Sequence, residues 1–208
     1  TSIDDLFLDI PAAFRDPALN LPKPLSELGL QGELAALASR NRSLGSGPSF
    51  LGADSYHHFI PAIVKALATR GEFLTAYTPY QAEASQGTLQ VIYEFQTLVC
   101  NLFAMDAANA GMYDGATSLA EGVLMACRVT KRTNAALADT LSPTYQQVIR
   151  TYCQAQGIET KVVSAAAPEI DGATACLAVQ YPNFFGYIED LASQTSATHT
   201  RGALLVVS

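Results

Sequence analysis

Apolar positions recur at helical spacing through the first half of the chain, and in short continuous runs separated by helical stretches through the second. Residues 1–24 hold Pro11, Pro17, Pro22 and Pro24 and little periodicity. That predicts an extended arm with one short helix at Ile3–Leu8. Leu30, Leu34 and Leu37 predict a helix running to about Arg40. The Gly, Ser and Pro content of SLGSGPSFLG (Ser43–Gly52) predicts a loop. The next helix has Pro61 in its first turn, Ile63, Val64 and Leu67 on one face, and Gly71 as its stop. TAYTPYQA, residues 75–82, is too rich in Pro and Tyr for a helix and reads as an ordered loop. From Ser85 to about Phe103, the positions Leu89, Ile92, Gln96, Val99 and Phe103 predict a long, largely buried helix.

The pattern then changes. Asp114 is placed to cap a helix with apolar Leu119, Val123 and Cys127 and a basic end at Arg128, Lys131 and Arg132, a charge placement that suits the helix dipole at both ends. After it come a strand at Ala135–Ala138, a helix from Pro143 to Gln156 with Gly157 as C-cap, and strands at Glu159–Ser164 and Ala173–Gln180. A helix near Tyr187–Thr198 and a strand at Ala203–Val207 complete the series. Strands alternating with helices imply right-handed crossovers and a mainly parallel sheet covered on both faces. The fold class is therefore α/β, preceded by a helical N-terminal region. ALLVVS closes the chain as a near-continuous apolar strand. Such a strand needs neighbours on both sides, and only four strands are visible, so the chain reads as a piece of a longer protein.

Composition sharpens this picture. Of 208 residues 49% are hydrophobic and only 15% charged, against ~25% charged in an ordinary globular domain. Much of the surface is then expected to be covered by something other than water, and disorder is excluded, because this much apolar surface offsets the entropy of ordering. A net charge of -7 argues against nucleic acid, whose affinity comes from Lys and Arg contacts to phosphate. No apolar run approaches the ~20 residues of a membrane helix, and TSIDDLFLDI lacks the layout of a signal peptide. These readings place the protein in the cytoplasm, away from membranes. Cys100, Cys127, Cys153 and Cys176 form no CxxC pair, and they read as buried free thiols or, alternatively, as a redox pair.

Candidate chemistry is sparse. His57 and His58 are adjacent, so they diverge on a helix or strand and ligate one metal poorly; they read as a solvated or hydrogen-bonded pair. His199 lies at a helix end, where a C-terminal carbonyl is its simplest partner. With no HExxH, CxxC or carboxylate cluster, no metal site is expected. GSGPSF has Phe50 where a dinucleotide fingerprint needs its last Gly and follows no strand. Lys23, Lys65, Lys131 and Lys161 are the only lysines, and none stands on a loop after a strand, where a Schiff-base lysine commonly sits. No catalytic residue is therefore expected in this chain. Two segments stand out. Tyr77, Thr78, Tyr80 and Gln81, followed by Ser85 and Gln86, present two hydroxyls around a rigid turn, either to a small carboxylate or cofactor, or as packing onto a neighbour. Asp114, Gly115, Ala116 and Thr117 open a helix with small residues that favour an anion, or serve as a simple N-cap, since Asp114 puts a negative charge where phosphate would go.

FLGADSYHHFIPAIVKAL, RGEFLTAYTPYQAEASQGTLQVIYEFQTLVCNLFAMDAANAGMYDGATSLAEG, SIDDLFLDIPAAFR and VQYPNFFGYIED together resemble the glycine dehydrogenase (decarboxylating) family, the P-protein of the glycine cleavage system. The match is to its first (alpha) subunit, or to the N-terminal half where the two are fused, and only to the N-terminal part of that. The resemblance implies the large domain of a fold-type I pyridoxal-phosphate-dependent transferase, incomplete here, over 74–208, after an arm and helices over 1–73. It implies decarboxylation of glycine with aminomethyl transfer to the lipoyl group of H-protein, in a heterotetramer, with pyridoxal phosphate as the electron sink. A related second subunit or half carries the lysine that bonds the cofactor. This chain then supplies interface and active-site loops, and is inactive alone. By the resemblance, Tyr77, Thr78, Tyr80, Gln81, Ser85 and Gln86 form a substrate and interface loop. Asp114, Gly115, Ala116 and Thr117 occupy a degenerate phosphate-turn position, and Asn183, Phe184, Phe185 and Gly186 form a cleft loop. The competing reading is a non-catalytic assembly or regulatory module that kept the fold and dropped the chemistry.

Overall fold

The computed structural model describes residues 2–15, 17–50, 52, 56–74 and 77–208. They fall into two compact units, residues 1–50 and 51–208. In the first unit, 3-10 turns at Ile3–Phe7 and Ala12–Phe14 precede helix α1, Glu27–Ala38. Ser26 starts α1 by accepting the Gly29 amide at 3.2 Å, which satisfies one of the helix's unpaired donors. A further 3-10 turn, Leu44–Ser46, interrupts the expected loop. Thr1 and Asp16 of the expected arm, and Leu51 of that loop, lie outside the described residues.

The second unit begins with helices α2 (Ala62–Ala68), α3 (Gly71–Leu74) and α4 (Gln86–Phe103). Pro61 is the N-cap of α2 and not part of its first turn, because its fixed φ suits the entry to a helix. Gly71 opens α3 where a stop is expected. Of the expected loop 75–82, Thr75 and Ala76 lie outside the described residues. α4 forms on the expected residues, but none of it is buried: Leu89, Ile92, Gln96 and Val99 of its stripe are half-buried and Phe103 is 63% exposed. Its periodicity reports an apolar stripe, whereas burial needs a second surface laid on that stripe. The expectation of a largely buried helix is therefore corrected.

Helices and strands then alternate: α5 (Gly115–Thr130), β1 (Asn134–Ala138), α6 (Pro143–Gln154), β2 (Glu159–Val163), β3 (Thr174–Val179), α7 (Leu191–His199) and β4 (Leu204–Val207). α6 ends two residues earlier than expected, with Ala155 as C-cap and Gly157 beyond it at φ +67°, a conformation open to glycine without a Cβ clash. α7 starts at Leu191, later than Tyr187, because the Asp190 side chain caps it by accepting from the Ser193 amide.

The four strands form one sheet in the order β2-β1-β3-β4, every pair parallel. Period-2 alternation divides its two faces. Ala135, Leu137, Cys176 and Ala178 join Leu119, Val123 and Ile149 in a core under α5 and α6. Ala136, Ala138, Leu177 and Val179 face the other way, against Ile170 of the β2–β3 connection and Leu191 of α7. α5 lies close on the sheet: a Cβ on Gly122 would come within 2.9 Å of Val206. Every buried residue among those described is Ala116 or later. Cys127, Cys153 and Cys176 are buried. Burial pushes the Cys153 thiol up to about 11 and the Cys176 thiol up to about 12, so both stay protonated and unreactive at neutral pH.

Candidate functional site

In an open parallel sheet, ligands collect outside the carboxyl ends of the strands. Residues 139–142 follow β1 at that end and residues 180–190 follow β3. Because β1 and β3 are neighbours, their two loops meet. The Gln180 side chain accepts the Ser142 amide at 2.9 Å, and the Phe184 amide donates to the Thr140 carbonyl at 3.0 Å. The half-buried Glu189 carboxylate accepts from the Thr140 hydroxyl at 2.7 Å and from the Asn183 amide group at 2.6 Å. Asn183 is itself buried, and its side-chain oxygen accepts from the Phe185 and Tyr187 amides, both at 3.0 Å. Gly186 takes φ +83° to close the turn. Phe184 and Phe185 stack edge to face with ring centres 5.5 Å apart.

The N-terminus of α5 reaches the same end of the sheet. A Cβ on Gly115 would lie 2.5 Å from the Tyr145 hydroxyl, and Tyr145 stands in the first turn of α6, directly after β1. Here Asp114 closes a capping box: its carboxylate accepts the Thr117 amide at 2.8 Å while the Thr117 hydroxyl accepts the Asp114 amide at 3.3 Å. Hydrogen bonds from the Thr117 amide and hydroxyl hold the Asp114 carboxyl below the usual carboxylate range. A carboxyl with a lowered native pKa stabilises the fold above its unfolded pKa and loses that contribution as pH falls through the native one. Asp114→Ala is therefore expected to lower the melting temperature at pH 7 and to have a shrinking effect as the pH drops below the carboxylate range. An equal effect at pH 7 and at pH 2 would remove the charge from the explanation.

The remaining candidates lie before and at the start of α4. Tyr77 is 94% and Tyr80 84% exposed, on a turn closed by the Tyr80 amide donating to the Thr78 carbonyl at 2.8 Å. Gln81 ends the turn by accepting the Ser85 amide on its carbonyl at 3.0 Å. Ser85 is the N-cap position of α4, and Gln86 begins the helix with its side-chain amide on the Glu83 carbonyl. Ser85 also lines a cavity of about 570 Å³ with Leu67, Arg70, Phe73 and Thr88. Arg70 there pairs with Glu72, which draws the Glu72 carboxyl below its usual range. Thus the structure brings Asp114–Thr117 and Asn183–Gly186 to one end of the sheet, and sets Tyr77–Ser85 ahead of α4 with Gln86 as its first residue.

Sequence reasoning missed Thr140, Gln180 and Glu189. Thr140 is one of several polar residues in 139–142, Gln180 reads as the end of a strand, and Glu189 falls within the stretch near Tyr187–Thr198 that reads as a helix. Among the described residues, no three of His, Cys, Asp and Glu gather as a metal needs. No described helix is long and apolar enough to cross a membrane.

Comparison with known proteins places the chain. It is 48% identical to the probable glycine dehydrogenase (decarboxylating) subunit 1 of Thermomicrobium roseum, over 99% of this chain and 48% of the relative. Identity to the protein of the same name in Caulobacter vibrioides is also 48%, with the same coverage. The chain spans about half the length of the curated relatives it matches. A crystal structure of glycine decarboxylase (P-protein) of the glycine cleavage system, in inhibitor-bound form, superposes with a TM-score of 0.90 at 42% identity, over 100% of this chain and 48% of that one. A sphingosine-1-phosphate lyase from Burkholderia pseudomallei shares the fold at a TM-score of 0.54 and 14% identity, over 94% of this chain and 50% of the lyase. The sheet and its helices are thus part of the large domain of a fold-type I pyridoxal-phosphate enzyme, short of the full strand set. The model of the glycine cleavage system P-protein family matches residues 1–208, and the chain belongs to that family.

Proposed function

We propose that this chain is part of the glycine decarboxylase of a glycine cleavage system, supplying interface and active-site loops to a site completed by a lysine-bearing second P-protein subunit. The observation that carries the reading is the continuous match of 99% of the chain to relatives named as subunit 1 of glycine dehydrogenase (decarboxylating). The reaction is decarboxylation of glycine with transfer of the aminomethyl group to lipoylated H-protein, in the cytoplasm.

The residues of this chain do not fit pyridoxal phosphate as its holder. At the N-terminus of α5, where phosphate would sit, the Asp114 carboxylate already takes the Thr117 amide, and its charge repels an anion. No lysine follows a strand: Lys131 caps the far end of α5, and Lys161 lies within β2, paired with Glu169 at 2.9 Å. Both features support a cofactor bonded through the second subunit. Tyr77, Thr78, Tyr80 and Gln81, with Ser85 and Gln86, are assigned to the glycine carboxylate and the shared interface. Their support is the open hydroxyls of Tyr77 and Tyr80 on a turn held by backbone bonds. Asn183–Gly186 is assigned to the wall of the same cleft.

The test is glycine–bicarbonate exchange by the second subunit with H-protein, with and without the whole protein to which this chain belongs. Exchange only when both are present supports the half-site. Exchange by the second subunit alone would make this chain a scaffold or a regulator. In the assembled enzyme, Tyr80→Phe is expected to lower kcat/KM for glycine by roughly 10- to 100-fold, since a hydrogen bond to a charged group is worth about 1.5–3 kcal/mol. Unchanged kinetics would take Tyr80 out of the site.

A further inference from the structure

We infer that Glu189 is a positioning residue, which fixes the Asn183–Tyr187 loop in the conformation it presents to the substrate cleft. The inference rests on the glycine decarboxylase reading above and adds to it a residue with a defined task. The loop has no regular secondary structure, yet five consecutive amides in it are bonded. The Asn183 amide donates to the Tyr187 carbonyl at 2.9 Å, Phe184 to the Thr140 carbonyl at 3.0 Å, and Gly186 to the Asn183 carbonyl at 2.8 Å. The Phe185 and Tyr187 amides both donate to the Asn183 side-chain oxygen.

That last pair depends on which way the Asn183 side chain is turned, and Glu189 decides it. One Glu189 oxygen accepts from the Asn183 nitrogen at 2.6 Å, so the Asn183 oxygen must point back at the two loop amides. The same Glu189 oxygen holds the Thr140 hydroxyl at 2.7 Å, tying the loop to the end of β1. The other oxygen faces the buried Gln194, whose nitrogen donates at 3.4 Å. Gln194 Nε2 also donates to the Ala165 carbonyl at 3.0 Å, past the end of β2. One half-buried carboxylate thus links the loops at the carboxyl ends of β1, β2 and β3. Meanwhile Phe185, Tyr187 and Ile188 stay 64%, 70% and 68% exposed. A backbone this constrained, carrying large apolar side chains into solvent, is a preorganised binding wall, and preorganisation removes an ordering cost from binding.

The test uses the assembled enzyme. Glu189→Leu leaves Asn183 free to turn. It is expected to raise hydrogen–deuterium exchange at the Phe185 and Tyr187 amides by about 10-fold or more, since protection tracks local opening. It is also expected to lower kcat/KM for glycine by about 10-fold or more per folded site, as misplacement of a site wall does. Glu189→Gln keeps one oxygen as the acceptor for Asn183 and Thr140, and gives up only the long 3.4 Å contact from the Gln194 nitrogen. It should therefore keep both readouts within about 3-fold of wild type. Thr140→Val removes one donor without opening a void; it should move both readouts in the same direction by less, and it decides the matter if Glu189→Leu fails to fold. Unchanged amide exchange in Glu189→Leu overturns the inference, as does raised exchange with wild-type kcat/KM. A wild-type assembly without glycine–bicarbonate exchange would instead sink the decarboxylase reading, and amide protection would still show whether Glu189 holds the loop.

Discussion

Leu137→Ala is expected to lower the stability of the protein by about 3–4 kcal/mol, read as a shift in the urea midpoint at unchanged slope. Leu137 is fully buried in β1, a central strand between β2 and β3, and packs under α5 and α6. Its register partner on β3 is Ala178, and Ala135 and Ala175 belong to the same core. Alanine has no rotamers with which to swing into a void, so the cavity stays open and the cost lies toward the upper part of the known range. Val162 on the edge strand β2 is 40% exposed, and Val162→Ala is expected to cost less than about 1 kcal/mol. Equal effects of the two would mean that the sheet is not organised around β1.

The second large effect is expected from Arg132→Met, at about 2–3 kcal/mol. Arg132 stands between α5 and β1, and one of its guanidinium nitrogens donates to the Thr174 carbonyl at 2.8 Å and to the Arg201 carbonyl at 3.0 Å. It clamps the start of β3 to the turn that enters β4. Gly202 lies against it at φ +65°, where an added Cβ would come within 3.1 Å of the guanidinium. Methionine keeps much of the apolar stem but leaves two carbonyls without their donor, and Thr174 is buried, so water does not readily replace it. Both acceptors are carbonyls, so raising the salt to ~0.5 M should leave the difference in unfolding midpoint between the wild type and the Arg132→Met variant intact, whereas an ion pair would be screened. A difference that disappears in salt would place the clamp's energy in long-range charge and not in these bonds.

From Gly115 onward the elements were legible in the chain itself, because local and global signals coincide there. Asp114 offers a cap and does cap α5. Pro143 opens α6. TACLAV is a continuous apolar run, and every residue of β3 is buried. Such agreement across levels is what gives a segment one conformation. α4 is the exception: its stripe was readable, but the surface that would cover it is not encoded in the stripe, which stays half-buried. The helix that begins at Leu191 was read as starting near Tyr187, whereas the Asp190 cap sets its start and two bonds to Asn183 hold Tyr187 in a loop.

The candidate groups were readable as residues and not as an arrangement. Asp114 and Asn183 are 69 positions apart in the chain, and nothing in their local spacing says that they share one end of a sheet. Thr140 and Glu189 are 49 positions apart and meet only because β3 pairs beside β1. By itself, then, the sequence determined where helices and strands form from residue 115 onward, that the strands run parallel, and which family the chain resembles. The elements follow from propensity, capping and periodicity, which act within a few residues; the parallel direction follows from the alternation of strands and helices, and the resemblance from long blocks of matching residues. The tertiary structure alone decided the strand order β2-β1-β3-β4 and the choice of Glu189 as the shared acceptor. Strand order depends on side-chain packing between distant segments, and a carboxylate becomes an acceptor for two loops and helix α7 only after that packing has brought them to the same place.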